Sequence, residues 1–438
     1  MNAATLLRAA SDAIPLTDWV LLGICTTAFL VFYACDFRRW GILSFASLFF
    51  GFNYFLKIVV MYPFAWSPGN LAATHGAFEG ILAHLGMAFH LTLAGFCFLL
   101  LGIFVSRRFA PVPPRGCLAI YRVLTQGWLS GGGVALGAGA ALGGTLLLFL
   151  LGFQPFQARS LVFERNDLRP IYNLWSQMVP FFAVNAILFG VTARRRTAVV
   201  VGLLLVALGI LGGNRTVTVM TLMQVAVMLA MPRRVRNIAL MLLGMLALAL
   251  LALWISMLRA GPGKGSFDIL DSLLYGNNLS DLRDFAWILT GMDTHAFLLG
   301  RTYLAGYLGF IPAYLFPFRV EYGLGHITPA LAGLDPMFHS GLRPPIFGEM
   351  YVNFALPGVI LGGFLYGFLV GRILHWVNAT LERPRGMTPE VVLWTAFLML
   401  QVVDSFVFTP SFFGVYVLAG LLVVGAALAR LAARKATA

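Results

Sequence analysis

Charge is scarce in this chain. Asp, Glu, Lys and Arg together make up 11% of its 438 residues, and 60% are hydrophobic. A water-soluble domain carries roughly a quarter of its residues as charges, so the deficit excludes a soluble globular protein and leaves most of the surface to face lipid. Cysteine is scarce too. Cys25, Cys35 and Cys97 lie in apolar runs and Cys117 in a basic loop, which excludes both a disulfide framework and a zinc site. No His/Cys set has metal-ligand spacing. The acid pairs Asp268/Asp271 and Asp281/Asp284 are too weak to argue for a divalent ion. No glycine loop follows a strand: Gly261-Pro262-Gly263-Lys264-Gly265 comes after an apolar run, so nucleotide-binding loops are excluded. Repeats of 20–50 residues and low-complexity tracts are absent. The expectation is a protein without cofactor or metal. The net charge of +13 does not point to nucleic acid, because the basic residues sit as short clusters between apolar runs.

What is present is a series of apolar runs of spanning length. They lie at about 19–35, 40–62, 80–105, 130–153, 171–192, 197–212, 216–231, 237–257, 351–377, 391–408 and 412–430. The fold class predicted is therefore an all-α polytopic membrane bundle of about eleven transmembrane helices, with 47 glycines available for close helix contacts. The first run follows Arg8 without a small-residue cleavage site and reads as a retained helix. Basic clusters at Arg38–Arg39, Arg107–Arg108, Arg194–Arg196, Arg233–Arg236, Arg383–Arg385 and Arg434–Lys435 occupy alternate loops. One crossing per run puts all of them on the cytoplasmic side and the N-terminus outside. The chain then reads as a bundle over 1–257 (about eight spans), a large extracytoplasmic segment over 258–348, and about three C-terminal spans over 349–438. Within the middle segment, the stretch from Arg301 to Phe318 is apolar but broken by Pro312 and Pro317, which predicts interfacial or re-entrant helices rather than a span. Ser280 reads as the N-cap of a helix beginning at Asp281.

Insertion bias explains cytoplasmic arginines but not those expected outside, which include Arg215, Arg283, Arg301, Arg319 and Arg343. A guanidinium fork suits phosphate or carboxylate. These arginines either bind an anionic group or pair with nearby acids and lipid head groups; Arg215 and Arg343 have no acid within five residues. Arg215 stands in a minimal turn between two apolar runs, beside Thr216 and Thr218. A second constellation is His339-Ser340-Gly341-Leu342-Arg343, leading to Glu349 and Asn353 on one helix face. Glu349, or His339, is a candidate general base toward a hydroxyl; the plainer alternative for Glu349 is compensation of the helix dipole. Asn53 and Lys57 share a face, His84 and His90 do not, and Asp404 must be paired or solvated, with an arginine as one candidate partner.

Three short motifs resemble bacterial oligosaccharide repeat-unit polymerases, the Wzy-type O-antigen polymerases. They are Gly213-Asn214-Arg215-Thr216; Arg301-Thr302-Tyr303 with Phe310-Ile311-Pro312 and Leu315-Phe316-Pro317-Phe318-Arg319; and Phe347-Gly348-Glu349-Met350-Tyr351-Val352-Asn353-Phe354 with Pro357-Gly358-Val359. The match runs over about 197–377, and Ala355 replaces a glycine common in the last motif. The resemblance implies a metal-independent glycosyltransferase of the bacterial inner membrane, with its site facing the periplasm. It would move a glycan from undecaprenyl diphosphate to the sugar hydroxyl of a second lipid-linked unit, with membrane lipid and a chain-length regulator as further partners. In that chemistry arginines stabilise the leaving diphosphate, and Glu349 or His339 takes the hydroxyl proton. The alternatives are an O-antigen ligase and a flippase or transporter of an anionic lipid-linked glycan.

Overall fold

The computed structural model describes residues 13–40, 45–66, 77–111, 115–153, 169–212, 279–335, 342–382 and 389–437. Among them every regular element is helical. Among the described residues, six helices are long and apolar enough to cross a membrane: α1 (Leu16–Trp40), α4 (Phe78–Ser106), α6 (Gly131–Leu150), α7 (Arg169–Thr192), α13 (Ile346–Glu382) and α15 (Phe413–Thr437). Two shorter apolar helices, α8 (Arg196–Leu211) and α14 (Pro389–Val407), account for the runs at 197–212 and 391–408. The runs at 216–231 and 237–257 lie outside the described residues. Large apolar side chains stand exposed along the spanning helices: Val20 and Ile24 on α1, Leu142 and Leu146 on α6, Leu361 and Leu365 on α13. A hydrocarbon solvent permits such stripes and water does not.

The run at 40–62 is described from Phe45 onward and is helical throughout, though not uniformly α: α2 (Phe45–Phe50), a ten-residue π-helical stretch over Gly51–Val60 and the short α3 (Met61–Ala65) follow one another without a break. Wide π turns are rare and occur as local departures from α geometry. Here the stretch stacks Phe55 on Phe29 of α1 (4.5 Å between ring centres) and carries Lys57 to within 2.8 Å of Asp281.

The chain divides into two compact units that interleave along the sequence, a different cut from the linear division expected at 257 and 348. The first unit comprises Met1–Val112, Asp268–Arg385 and Met399–Phe413. Its centre is the pairing of α4 with α13. Gly95 and Gly102 on α4 face Gly363, Gly367 and Gly371 on α13, and a Cβ at Gly363 would lie 2.8 Å from the Gly95 carbonyl oxygen. Small residues are what let two apolar helices approach this closely. Between 281 and 331 four short helices pack in the same unit: α9 (Asp281–Met292), α10 (Arg301–Tyr307), α11 (Phe318–Tyr322) and α12 (Leu324–Leu331). None of them is long enough to span. Between α10 and α11, Phe310, Tyr314 and Leu315 are exposed.

The second unit comprises Pro113–Phe267, Gly386–Leu398 and Gly414–Ala438. In it α7 and α8 form a tight hairpin whose turn places Arg194 at φ 54°. Trp175 of α7 donates its indole N–H to Thr145 of α6 at 3.0 Å. Trp128, at the end of α5 (Arg115–Trp128), donates to the carbonyl of Leu421 at 3.0 Å.

Candidate functional site

The long helix α13 is two helices joined by a break. Phe354 (φ −133°, ψ 17°) and Ala355 (φ 54°, ψ −153°) leave helical geometry, and Pro357 follows. Pro357 has no N–H to give the preceding turn and crowds it. The Ala355 backbone occupies a region that is nearly exclusive to glycine and costs about 1–3 kcal/mol for other residues. Ala355→Gly should therefore raise stability by about 1 kcal/mol and Ala355→Val should lower it by more, both read from thermal unfolding in detergent.

A buried polar cluster holds this break open. Val352 and Asn353 lose their helical partners, and their carbonyls instead accept from the backbone N–H groups of Leu298 (3.0 Å) and Leu299 (2.9 Å). Those donors converge because Leu299 and Gly300 both take positive φ, 49° and 87°. Asn353 adds its side chain: Oδ1 accepts from Gly300 N (3.0 Å), and Nδ2 donates to Thr302 Oγ1 (2.7 Å). The Thr302 hydroxyl donates in turn to Glu349 Oε1 at 2.8 Å. Thr409, in the single 3₁₀ turn Thr409–Ser411, donates its hydroxyl to Glu349 Oε1 (2.6 Å) and its N–H to Oε2 (3.0 Å). Glu349, Asn353 and Thr302 are fully buried, and Thr409 is nearly so. Tyr303 stacks on Phe354 beside the cluster and donates to the Val407 carbonyl. Three stretches of chain far apart in sequence thus meet at one carboxylate. Three donors address its two oxygens.

This arrangement decides what Glu349 can do as it stands. It is neither a first-turn acid compensating a dipole in solvent nor a carboxylate open to a substrate. It is a buried hydrogen-bonded node, and proton transfer to it from outside requires the cluster to open first.

The predicted arginines fall into two neighbourhoods. Arg301, at the start of α10, is exposed; its guanidinium lies 4.9 Å over the ring of Tyr322 and donates to that hydroxyl at 3.0 Å. Arg319, on α11, spends its guanidinium within the protein, donating to the carbonyls of Gly309 (2.6 Å) and Ile311 (2.7 Å). It pins the turn that presents Phe310. The second neighbourhood is built on Asp284. Its Oδ2 accepts from Ser280 Oγ and from the Arg343 backbone N–H, both at 3.1 Å, and its Oδ1 lies 3.8 Å from Arg283. Burial pushes the Asp284 carboxyl up to about 6, with the Arg283 charge pulling the other way. Arg283 is mostly buried and its Nε has no hydrogen-bond partner among the described residues. The Arg343 side chain is exposed and makes no ion pair among the described residues. Arg215 and His339 lie outside the described residues.

Two smaller expectations are corrected. Ser280 precedes α9 as predicted, but its hydroxyl does not cap the helix; it turns to Asp284, which needs a donor more because it is buried. Among the described residues Asp404 pairs with no arginine; the Tyr366 hydroxyl donates to it at 2.6 Å within the bundle. Sequence reasoning misses Thr302 and Thr409 as partners of Glu349, and a set on α1, α3 and α4. In that set Asp18, almost fully buried, accepts from the Tyr62 hydroxyl and from His90 Nε2 (2.8 Å). A signal for Asp18 does exist: an acid in the first turn of a spanning helix is costly without partners.

Family models, curated proteins and solved structures provide no match to the chain.

Proposed function

We propose that this chain is an oligosaccharide repeat-unit polymerase of the Wzy kind: an inner-membrane glycosyltransferase of about eleven spans whose site faces the periplasm. One observation carries the reading. The stretches resembling those polymerases, 301–319 and 347–359, are distant in sequence yet meet through Thr302 and Glu349, with Arg301 exposed at the junction. A site for diphosphate departure needs cations that can reach an anion, and Arg301 and Arg343 have guanidinium groups on the surface, that of Arg301 resting over Tyr322. Arg283 and Asp284 lie beside Arg343. The donor is a glycan on undecaprenyl diphosphate, and the acceptor is a hydroxyl of a second lipid-linked unit. Arginines hold the diphosphate as its charge develops, and no metal is needed in that role.

The transporter alternative is less well supported. Broken helices of transporters put their breaks near the bilayer midplane. The break in α13 comes at Phe354 and Ala355, close to its start at Ile346, and leaves a continuous helix from Pro357 to Glu382. At about 1.5 Å per residue that helix is by itself long enough to span.

The discriminating experiment is the glycan profile of a cell lacking this protein. A polymerase leaves single repeat units on the lipid A–core, a ligase leaves no glycan there, and a flippase leaves lipid-linked units trapped at the cytoplasmic face. Orientation is checked by cysteine labelling, which should find positions 195 and 385 inside and 333 outside. Labelling of 333 from the cytoplasm would overturn the periplasmic placement.

A further inference from the structure

A polymerase of this kind needs a group to take the acceptor's proton, and Glu349 is sealed by its own hydrogen bonds. Two carboxylate–imidazole pairs stand among the described residues as other candidates. His84 bonds the exposed Asp293 at 3.1 Å, but Nδ1 of His84 is already engaged with the Gly80 carbonyl at 2.9 Å. His90 is different. Its Nε2 meets Asp18 Oδ1 at 2.8 Å, its Nδ1 has no hydrogen bond among the described residues, and 53% of its side chain is exposed. Asp18 is only 1% exposed and is held on its other oxygen by Tyr62. The carboxylate therefore keeps a proton on Nε2 and leaves the Nδ1 lone pair outward, the tautomer a general base requires.

The imidazole lines a cavity of about 610 Å³. Its walls are apolar (Leu82, Met87, Leu91 and Leu356 among them), and its polar lining includes Asp18, Thr17 and His90. Leu356 belongs to the break in α13, so the cavity adjoins the Glu349 cluster's helix within one unit. Depth agrees with the chemistry. From Ser106 at the end of α4 to His90 is about 24 Å of helix, and from Arg38 to Asp18 along α1 about 30 Å. With Arg38 and Arg107 at the cytoplasmic boundary of a core about 30 Å thick, Asp18 and His90 both lie near the opposite boundary, where a lipid-linked sugar meets its isoprenoid chain.

The geometry points to His90 as the catalytic base toward the acceptor hydroxyl, with Asp18 as its positioning residue and the apolar cavity as the seat of a lipid-linked saccharide acceptor. This rests on the polymerase reading and deepens it. In the step, the acceptor hydroxyl oxygen forms a bond to the donor's anomeric carbon as that carbon's bond to the diphosphate oxygen breaks. The electron pair leaves with the polyprenyl diphosphate. The hydroxyl proton passes to His90 Nδ1, and the imidazolium formed is balanced by Asp18.

The test uses the purified full-length chain and lipid-linked repeat units extracted from cells lacking it, scored for polymer formed. His90→Gln keeps an N–H toward Asp18 but cannot take a proton; kcat should fall by about a hundredfold or more with KM nearly unchanged. Asp18→Asn should lower kcat about tenfold or more, and Tyr62→Phe no more than a few-fold. Met87, exposed at the cavity wall, supplies a test independent of the dyad's folding: Met87→Trp should raise KM at unchanged thermal stability. Wild-type rates in His90→Gln, or unaltered KM in a folded Met87→Trp, overturn the assignment while leaving the polymerase reading intact. A wild-type chain that makes no polymer overturns that reading, and the base with it.

Discussion

Glu349→Ala should fail to give a stable protein, with a loss of about 3–5 kcal/mol, because it strands three donors in a dry interior at once. The Thr409 N–H and the hydroxyls of Thr302 and Thr409 all address this carboxylate, and each residue is buried. A buried donor left without an acceptor costs about 1–3 kcal/mol, more when its partner was charged. Glu349→Gln should be far milder, near ~1–2 kcal/mol, since an amide oxygen can accept the fixed N–H while hydroxyls rotate to accept from the amide NH₂. Thr302→Val isolates one arm: it removes both the bond to Glu349 and the acceptor for Asn353 Nδ2, and should fall between the two. Unfolding monitored in detergent ranks the three. If Glu349→Ala were as stable as wild type yet inactive, Glu349 would be a catalytic group after all, and the cluster would have to open during turnover.

The second large effect separates arginines that bind from arginines that hold the fold. Arg343→Ala and Arg301→Ala should each weaken donor engagement by about ten- to a hundredfold, the range expected for charge-assisted hydrogen bonds to phosphate at about 1.5–3 kcal/mol, with thermal stability little changed. Arg301→Lys should not restore function, because an ammonium cannot present a planar fork. Arg319→Ala should behave in the opposite way. Its guanidinium satisfies two carbonyls in the turn before α11, so its loss should lower stability first. A donor-binding defect in folded Arg319→Ala, equal to that of Arg343→Ala, would contradict this division.

Much of the helical scaffold is legible because lipid imposes a simple rule: long apolar runs with charges only at their ends. The runs at 19–35, 80–105, 130–153, 171–192, 351–377 and 412–430 reappear as spanning-length helices. The run at 40–62 shows the limit of that rule: hydropathy finds the helix but cannot see that Gly51–Val60 winds as a π-helix. The break in α13 is signalled by Pro357, yet φ at Ala355 is a backbone property that only the structure displays. The site is legible residue by residue and not as contacts. A spacing of four pairs Glu349 with Asn353, and that pairing is real: Asn353 Nδ2 donates to the Glu349 carbonyl at 2.9 Å. The other partners of Glu349, Thr302 and Thr409, come from segments 47 and 60 residues away, and no local periodicity encodes such meetings. Residue type alone groups Arg283 with Arg343, and Asp284 is what joins them.

Repeat-unit polymerisation is tested most directly by incubating the purified chain, in detergent or lipid, with one lipid-linked repeat unit and following both products. A polymerase should yield a ladder of lipid-linked oligomers and release one polyprenyl diphosphate for each bond formed, with no added divalent ion and with both products lost together in Arg343→Ala. Unchanged repeat units alongside a folded wild-type chain, or diphosphate release without any ladder, would contradict it.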